Sequence, residues 1–278
     1  MKSVLLIVEP EDAVHHGVNR ALMLARYLNA RIDILLYDDE YMHARSDPDS
    51  QTPGEEAREY LEALRQSVRA PDIEISTHVY FGESLREQLT SRFTQHGVDL
   101  IIKSPERDDP VRDKRQAWRL LSVCPTPLLL TRGQPWHPHP RFAAAISAVD
   151  RSTETLSLLA ARAVASLREA CGASLDLIYD STNADSASAD GAAPARLKLD
   201  RLAHRLRFKP RGVRLPTGDP TETLPGFVAD EAYDLLAIGY QDYRHEPSLS
   251  TFGASLAGQL IGFGRCDLLF VKEPGHKR

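Results

Sequence analysis

Cysteine is scarce in this chain: Cys124, Cys171 and Cys266 are the only three in 278 residues, and they are widely spaced. Three such cysteines make no disulfide framework, which points to a reducing compartment and an expected cytoplasmic location. No apolar run approaches the ~20 residues needed to span a bilayer, so membrane insertion is not expected. The opening MKSVLLIVEPED has a short apolar core, but it turns acidic at Glu9, Glu11 and Asp12 and lacks a small-residue cleavage pattern. A buried strand explains it better than a leader. Basic residues are not in excess: 34 Lys and Arg against 39 Asp and Glu give a net charge of −5. There is no bulk positive field to favour nucleic acid or an anionic membrane. Glycine is absent from Val98 to Arg132.

What is present is an ordinary globular composition, 42% apolar and 26% charged, over a length that suggests about two domains. The chain also repeats itself. ALMLARYLNARIDILLYD (21–38) is answered by LAARAVASLREACGASLDLIYD (159–180), each an amphipathic helix, a small residue and a strand. GESLREQLTSRFTQHGVDLIIKS (82–104) is answered by GDPTETLPGFVADEAYDLLAIG (218–239), where Asp-Leu heads an apolar strand. The halves close on CPTPLLLT (124–131) and CDLLFVK (266–272). An offset of roughly 140 residues is too long for a solenoid unit and fits a duplicated domain.

Within each half, strands alternate with helices. SVLLIV and AAAISAV are near-continuous apolar runs, the pattern of parallel strands covered on both faces. A helix over roughly 12–28 would place Val14, Val18, Ala21, Leu22, Ala25 and Leu28 on one stripe. The expected fold is α/β: two tandem, doubly wound, parallel five-stranded sheets with right-handed crossovers. The expected domains are 1–133 and 141–274, joined by a Pro-rich linker at 134–140 that follows Gly133. A small, polar stretch at 181–195 reads as a mobile excursion between a strand and a helix. Ligands of such sheets bind beyond the carboxyl ends of the strands, at the switch point. That places the candidate crevices near Glu9 and Ser104 in the first half, and near Asp150 and Gly239 in the second.

The order and spacing of Trp118-Arg-Leu-Leu-Ser-Val-Cys124-Pro-Thr-Pro127, Gln134-Pro-Trp136 and Arg265-Cys266-Asp-Leu-Leu resemble the universal stress proteins, in their tandem form, over nearly the whole chain. The resemblance implies an internal pseudo-dimer, in which one chain supplies both halves of a pair that single-domain relatives form as homodimers. The whole chain is then a monomer or a homodimer. It also implies a non-catalytic stress-response or regulatory protein. The alternative is an ATP- or nucleotide-binding switch acting through the second domain, with at most weak ATPase activity. A third reading is a binder of a non-nucleotide small molecule in the crevice.

The ATP-binding members carry an acid at the end of the first strand and a glycine after the fourth. Another glycine follows three residues later, and a third about ten further on, before Ser or Thr. Such glycines let backbone N–H groups reach phosphates in front of a helix N-terminus. The first half departs from this pattern: Ser104 and Arg107 stand in place of the first two glycines, and Pro105 and Pro110 remove donors. The second half keeps part of it in Asp150, Gly239, Gly253 and Ser255. Asp242 replaces its second glycine and brings a negative charge to where phosphate would lie. No cofactor is expected, with ATP the open possibility.

Other clusters have plainer readings. Glu9, Glu11, Asp12, His15 and His16 could form a metal or acid–base site, or simply complement a helix dipole. His137 and His139 in the linker lack further ligands in register. Cys124 and Cys266, in equivalent places, read as buried small hydrophobes. No nucleophile–base pair, metal quartet or oxyanion loop is recognisable, and nothing argues for an enzyme beyond slow nucleotide hydrolysis.

Overall fold

The computed structural model describes residues 2–8, 16–37, 53–79, 89, 97–104, 110–124, 126–147, 151–179, 204–206, 208–214, 220–240, 252–263 and 265–272. The stretch 181–195 lies outside them, as do Glu9, Glu11, Asp12, Val14 and His15. The chain forms two compact units. One comprises Met1–Asp109 with Leu128–Gly133, the other Pro110–Pro127 with Gln134–Arg278.

The first unit carries β1 (Lys2–Val8), α1 (His16–Leu28), β2 (Ala30–Leu36), α2 (Pro53–Ser67), β3 (Ile75–Val79), β4 (Leu100–Lys103) and β5 (Leu128–Leu130). Its strands lie side by side in the order β3-β2-β1-β4-β5 and every neighbouring pair is parallel. Only Lys2 of β1 is exposed, because parallel strands covered on both faces have no solvent side. On α1 the buried residues are Gly17, Val18, Arg20, Ala21, Leu24 and Ala25. The stripe is therefore centred about one residue away from the sequence expectation: Leu22 and Leu28 are half-buried and Leu24 is fully buried.

The second unit carries α3 (Pro110–Val123), β6 (Arg141–Ile146), α4 (Arg151–Cys171), β7 (Ser174–Tyr179), β8 (Gly212–Arg214), α5 (Pro220–Asp230), β9 (Leu235–Gly239), α6 (Phe252–Phe263) and β10 (Asp267–Val271). Its order, β8-β7-β6-β9-β10, is again parallel throughout and repeats that of the first unit. Both sheets thus reverse direction beside their first strand, between β1 and β4 and between β6 and β9. That is the switch point of a doubly wound sheet.

The duplication extends to single hydrogen bonds. The Asp99 carboxylate accepts the Ser3 N–H at 2.9 Å, while the Asp99 N–H donates to the Ser3 carbonyl at 2.9 Å. In the second unit Asp234 does both with Arg141, each at 2.8 Å. The Asp-Leu that heads the fourth strand of each half is therefore a clamp on the start of the first strand. The residue two before each clamp is left-handed, Gly97 at φ 61° and Ala232 at φ 51°.

A buried carboxylate sits at the same register in each second strand. Asp33 lies opposite Leu5 and Asp176 opposite Ala143. Asp33 accepts from Ser3 Oγ at 3.0 Å and from Ser76 Oγ, with Arg31 3.6 Å away. Asp176 accepts from Tyr233 Oη at 2.9 Å and from both nitrogens of an Arg211 fork, at 3.0 and 2.5 Å.

Helix α3 groups with the second unit, so a single cut near the linker does not describe the compact units. Trp118 packs on Tyr240 with ring centroids 5.9 Å apart, and Lys272 Nζ donates to the Leu121 carbonyl. Those partners directly follow β9 and β10 of the second unit, and they hold the helix there.

Candidate functional site

At the switch point of the first unit, Ser104 follows the last residue of β4. Its Oγ lies 3.2 Å from Thr131 Oγ1, and both residues are buried. Lys103 Nζ donates to the Ser104 carbonyl at 3.2 Å. Helix α1 approaches through Gly17, where a Cβ would come within 2.7 Å of Ser104 Oγ. A serine side chain thus fills the place that the resemblance assigns to a phosphate-loop glycine. Residues 105–109 lie outside the described residues.

In the second unit the partners exchange roles. The glycine is on the strand, Gly239, and the bulky residue is on the helix, Leu156 of α4. A Cβ on Gly239 would meet the Leu156 carbonyl carbon at 2.7 Å and its Cβ and carbonyl oxygen at 2.8 Å. Space under 3.0 Å from backbone atoms is space no side chain can enter. The bare Cα of Gly239 therefore faces a helix backbone and serves its close packing.

The next residue turns into the unit's own core. The Tyr240 N–H donates to the Val271 carbonyl at 2.8 Å, its ring stands edge-on to Phe270 at 6.4 Å, and Lys272 Nζ lies 5.2 Å above it. Lys272 also lowers the pKa of the Cys124 thiol slightly, but burial dominates and pushes it up to about 12. Cys124 and Cys266 are both buried, and at neutral pH Cys124 is a thiol rather than a nucleophile.

Of the other residues the sequence nominates, Gly253 and Ser255 fall in the first turn of α6. Asp150 and Asp242 lie outside the described residues, as does all of 241–251. Gly239 thus ends β9 and Gly253 and Ser255 open α6, and nothing described joins them into a cradle. His137 is taken up structurally: its N–H and its Nδ1 both reach Asp234 Oδ1, at 2.9 and 2.8 Å. Among the described residues no group of three or more His, Cys, Asp or Glu side chains is placed to hold a metal ion.

No family model matches the chain. A curated relative, the universal stress protein E homolog of Haemophilus influenzae, is 24% identical over 157 residues, which is 50% of this chain and 50% of that protein. The match therefore spans about half the length of that relative. Among solved structures, the chain superposes on a putative universal stress protein from Pseudomonas aeruginosa UCBPP-PA14 with a TM-score of 0.73 at 18% identity, covering 99% of this chain and 94% of that one. It also superposes on a universal stress protein from Archaeoglobus fulgidus, with a TM-score of 0.67 at 13% identity, covering 98% and 96%.

The chain has the tandem universal-stress-protein fold. The repeated strand order, the paired Asp clamps and the full-length superpositions agree on it. The described residues at the two switch points differ. The first unit presents a serine locked to a threonine. The second presents a glycine occupied by a helix.

Proposed function

We propose that the protein is a non-catalytic binding protein of the universal-stress type, serving a stress-response or regulatory role, and that its two switch-point crevices do not act as ATP cradles. The observation that carries this reading is the contact of Gly239 with Leu156. The glycine that the resemblance nominates for phosphate has its side-chain space filled by α4. Ser104, fixed to Thr131, supports the same reading in the first unit.

A second reading keeps a nucleotide switch in the second domain. It is favoured by Gly239 at the end of β9 with Gly253 and Ser255 opening α6, since a helix N-terminus attracts anions. A filter-binding assay with labelled ATP on the wild type and on Asp242→Gly, run beside a turnover assay, separates the two. The non-catalytic reading expects no retention and no turnover in the wild type. Saturable retention in the wild type, strengthened in Asp242→Gly, would replace it with the switch. The relatives' names supply the stress connection and say nothing of the ligand, which this reading places outside the nucleotides.

A further inference from the structure

The linker and the amino ends of β9 and β10 line a half-open cavity of about 350 Å³ in the second unit, at the opposite strand ends from Gly239. That volume suits a small organic molecule. Its walls are of two kinds. One side is apolar, with the Trp136 indole, Pro135, Val228 and Ala229 from the carboxyl end of α5, and Ala232 from the turn after it. Trp136 is a fixed surface there, since its Nε1–H donates to Asp267 Oδ2 at 3.0 Å and its ring stands at 71° to Phe142, 4.8 Å away.

The other side is polar, and its carboxylates are committed. Asp234 accepts the N–H groups of His137 and Arg141 and the Nδ1 of His137, at 2.8 to 2.9 Å. His137 is thus committed to Asp234 through both its backbone N–H and its ring. Arg265, exposed at the rim, makes no ion pair or hydrogen bond with any described residue. What is left at the rim to meet a ligand is thus the Arg265 guanidinium, above an apolar floor.

We propose that this cavity is a binding site for a small organic carboxylate with an apolar body. The body lies on Trp136 and the end of α5, and the carboxylate is held by Arg265. A guanidinium is the group best matched to a carboxylate. A fixed indole beside short aliphatic side chains takes a flat or slender apolar body. A neutral analogue would forgo the Arg265 contact. The site stands independently of how the switch-point crevices are used.

Calorimetric titration of the intact protein with benzoate, phenylacetate and hexanoate tests this, with benzyl alcohol and hexanol as neutral counterparts. Tryptophan fluorescence is followed in parallel to report on Trp136. The expected result is saturable one-to-one binding of at least one acid with a change in tryptophan emission. The matching alcohol should bind about tenfold or more weaker, and Arg265→Ala should weaken the acid by about tenfold with the melting temperature unchanged. Arg265 is exposed, so that variant is expected to fold. The proposal is overturned if none of the three acids binds saturably, if acid and alcohol bind alike, or if Arg265→Ala leaves acid binding intact.

Discussion

At the scale of single residues, Gly239 and Gly17 solve one packing problem from opposite sides. Gly239→Ala would drive a Cβ into the backbone of α4, which cannot rotate away, so a loss of about 1 to 3 kcal/mol is expected from overpacking. Gly17→Ala meets the Ser104 hydroxyl and, at 3.0 Å, the Leu6 Cδ1, both of which can turn aside, and should cost less. Urea denaturation of both variants checks the ranking; equal, negligible losses would mean the two close approaches are not real.

The buried carboxylates give a pH prediction. Burial pushes the Asp33 carboxyl up, but bonds from His78, Ser76 and Ser3 and the charge of Arg31 outweigh it and hold the group well below the usual carboxylate range. His78 acts there at longer range, its Nε2 being 3.7 Å from Asp33 and 3.1 Å from Ser76 Oγ. Burial also raises Asp176, and Arg211 and Tyr233 bring it down in the same way. A lowered folded-state pKa means stability that is complete above the unfolded value, near pH 4, and is lost as pH falls toward the folded one. The wild type should therefore weaken progressively below about pH 4. Asp33→Asn should be less stable at pH 7 and show a shallower acid dependence, read from denaturation midpoints at pH 7, 4 and 3. These aspartates are visible in the repeated RIDILLYD and SLDLIYD, yet a lone charge in an apolar run does not reveal its partners. Arg211 and Ser76 come from distant segments.

At the scale of elements, strands and their order were the most legible, because parallel strands buried on both faces write themselves as continuous apolar runs. The Asp-Leu heading the fourth strands was seen as a repeat, and its clamping of the neighbouring first strand came only with the pairing register. The stripe of α1 was misplaced because Leu22 and Leu28 are as apolar as Leu24, and composition alone does not say which faces the sheet. Two residues past the end of α5, Ala232 is left-handed where the first unit has Gly97. That conformation costs a side-chain-bearing residue roughly 1–2 kcal/mol, partly offset by the greater freedom glycine has when unfolded. Ala232→Gly should therefore stabilise by a few tenths to about 1 kcal/mol, measured as a higher urea midpoint. A lower midpoint would indicate that the Ala232 methyl matters more to the adjoining cavity wall than the backbone does to its own comfort.

At the scale of the whole molecule, duplication was plain from the offset of the repeats, but the membership of α3 was not. It depends on Trp118, Leu121, Tyr240 and Lys272, which are separated by more than a hundred residues. A fragment of residues 1–133 carries α3 without its partners, and its apolar face should promote self-association. Light scattering showing a stable monomer would contradict that. The cavity beside Trp136 was invisible to sequence for a similar reason, since the linker, the end of α5 and the start of β10 each contribute part of it.

The central claim is that the strand-end glycine of the second unit serves helix packing rather than phosphate. Titration calorimetry of the intact wild-type protein with Mg-ATP tests it most directly. The account predicts no saturable heat at micromolar concentrations, with any affinity in the millimolar range or weaker, worth no more than about 4 kcal/mol. A saturable isotherm with a low-micromolar Kd, about 8 kcal/mol, would contradict it and restore the loop after Gly239 as a working nucleotide site.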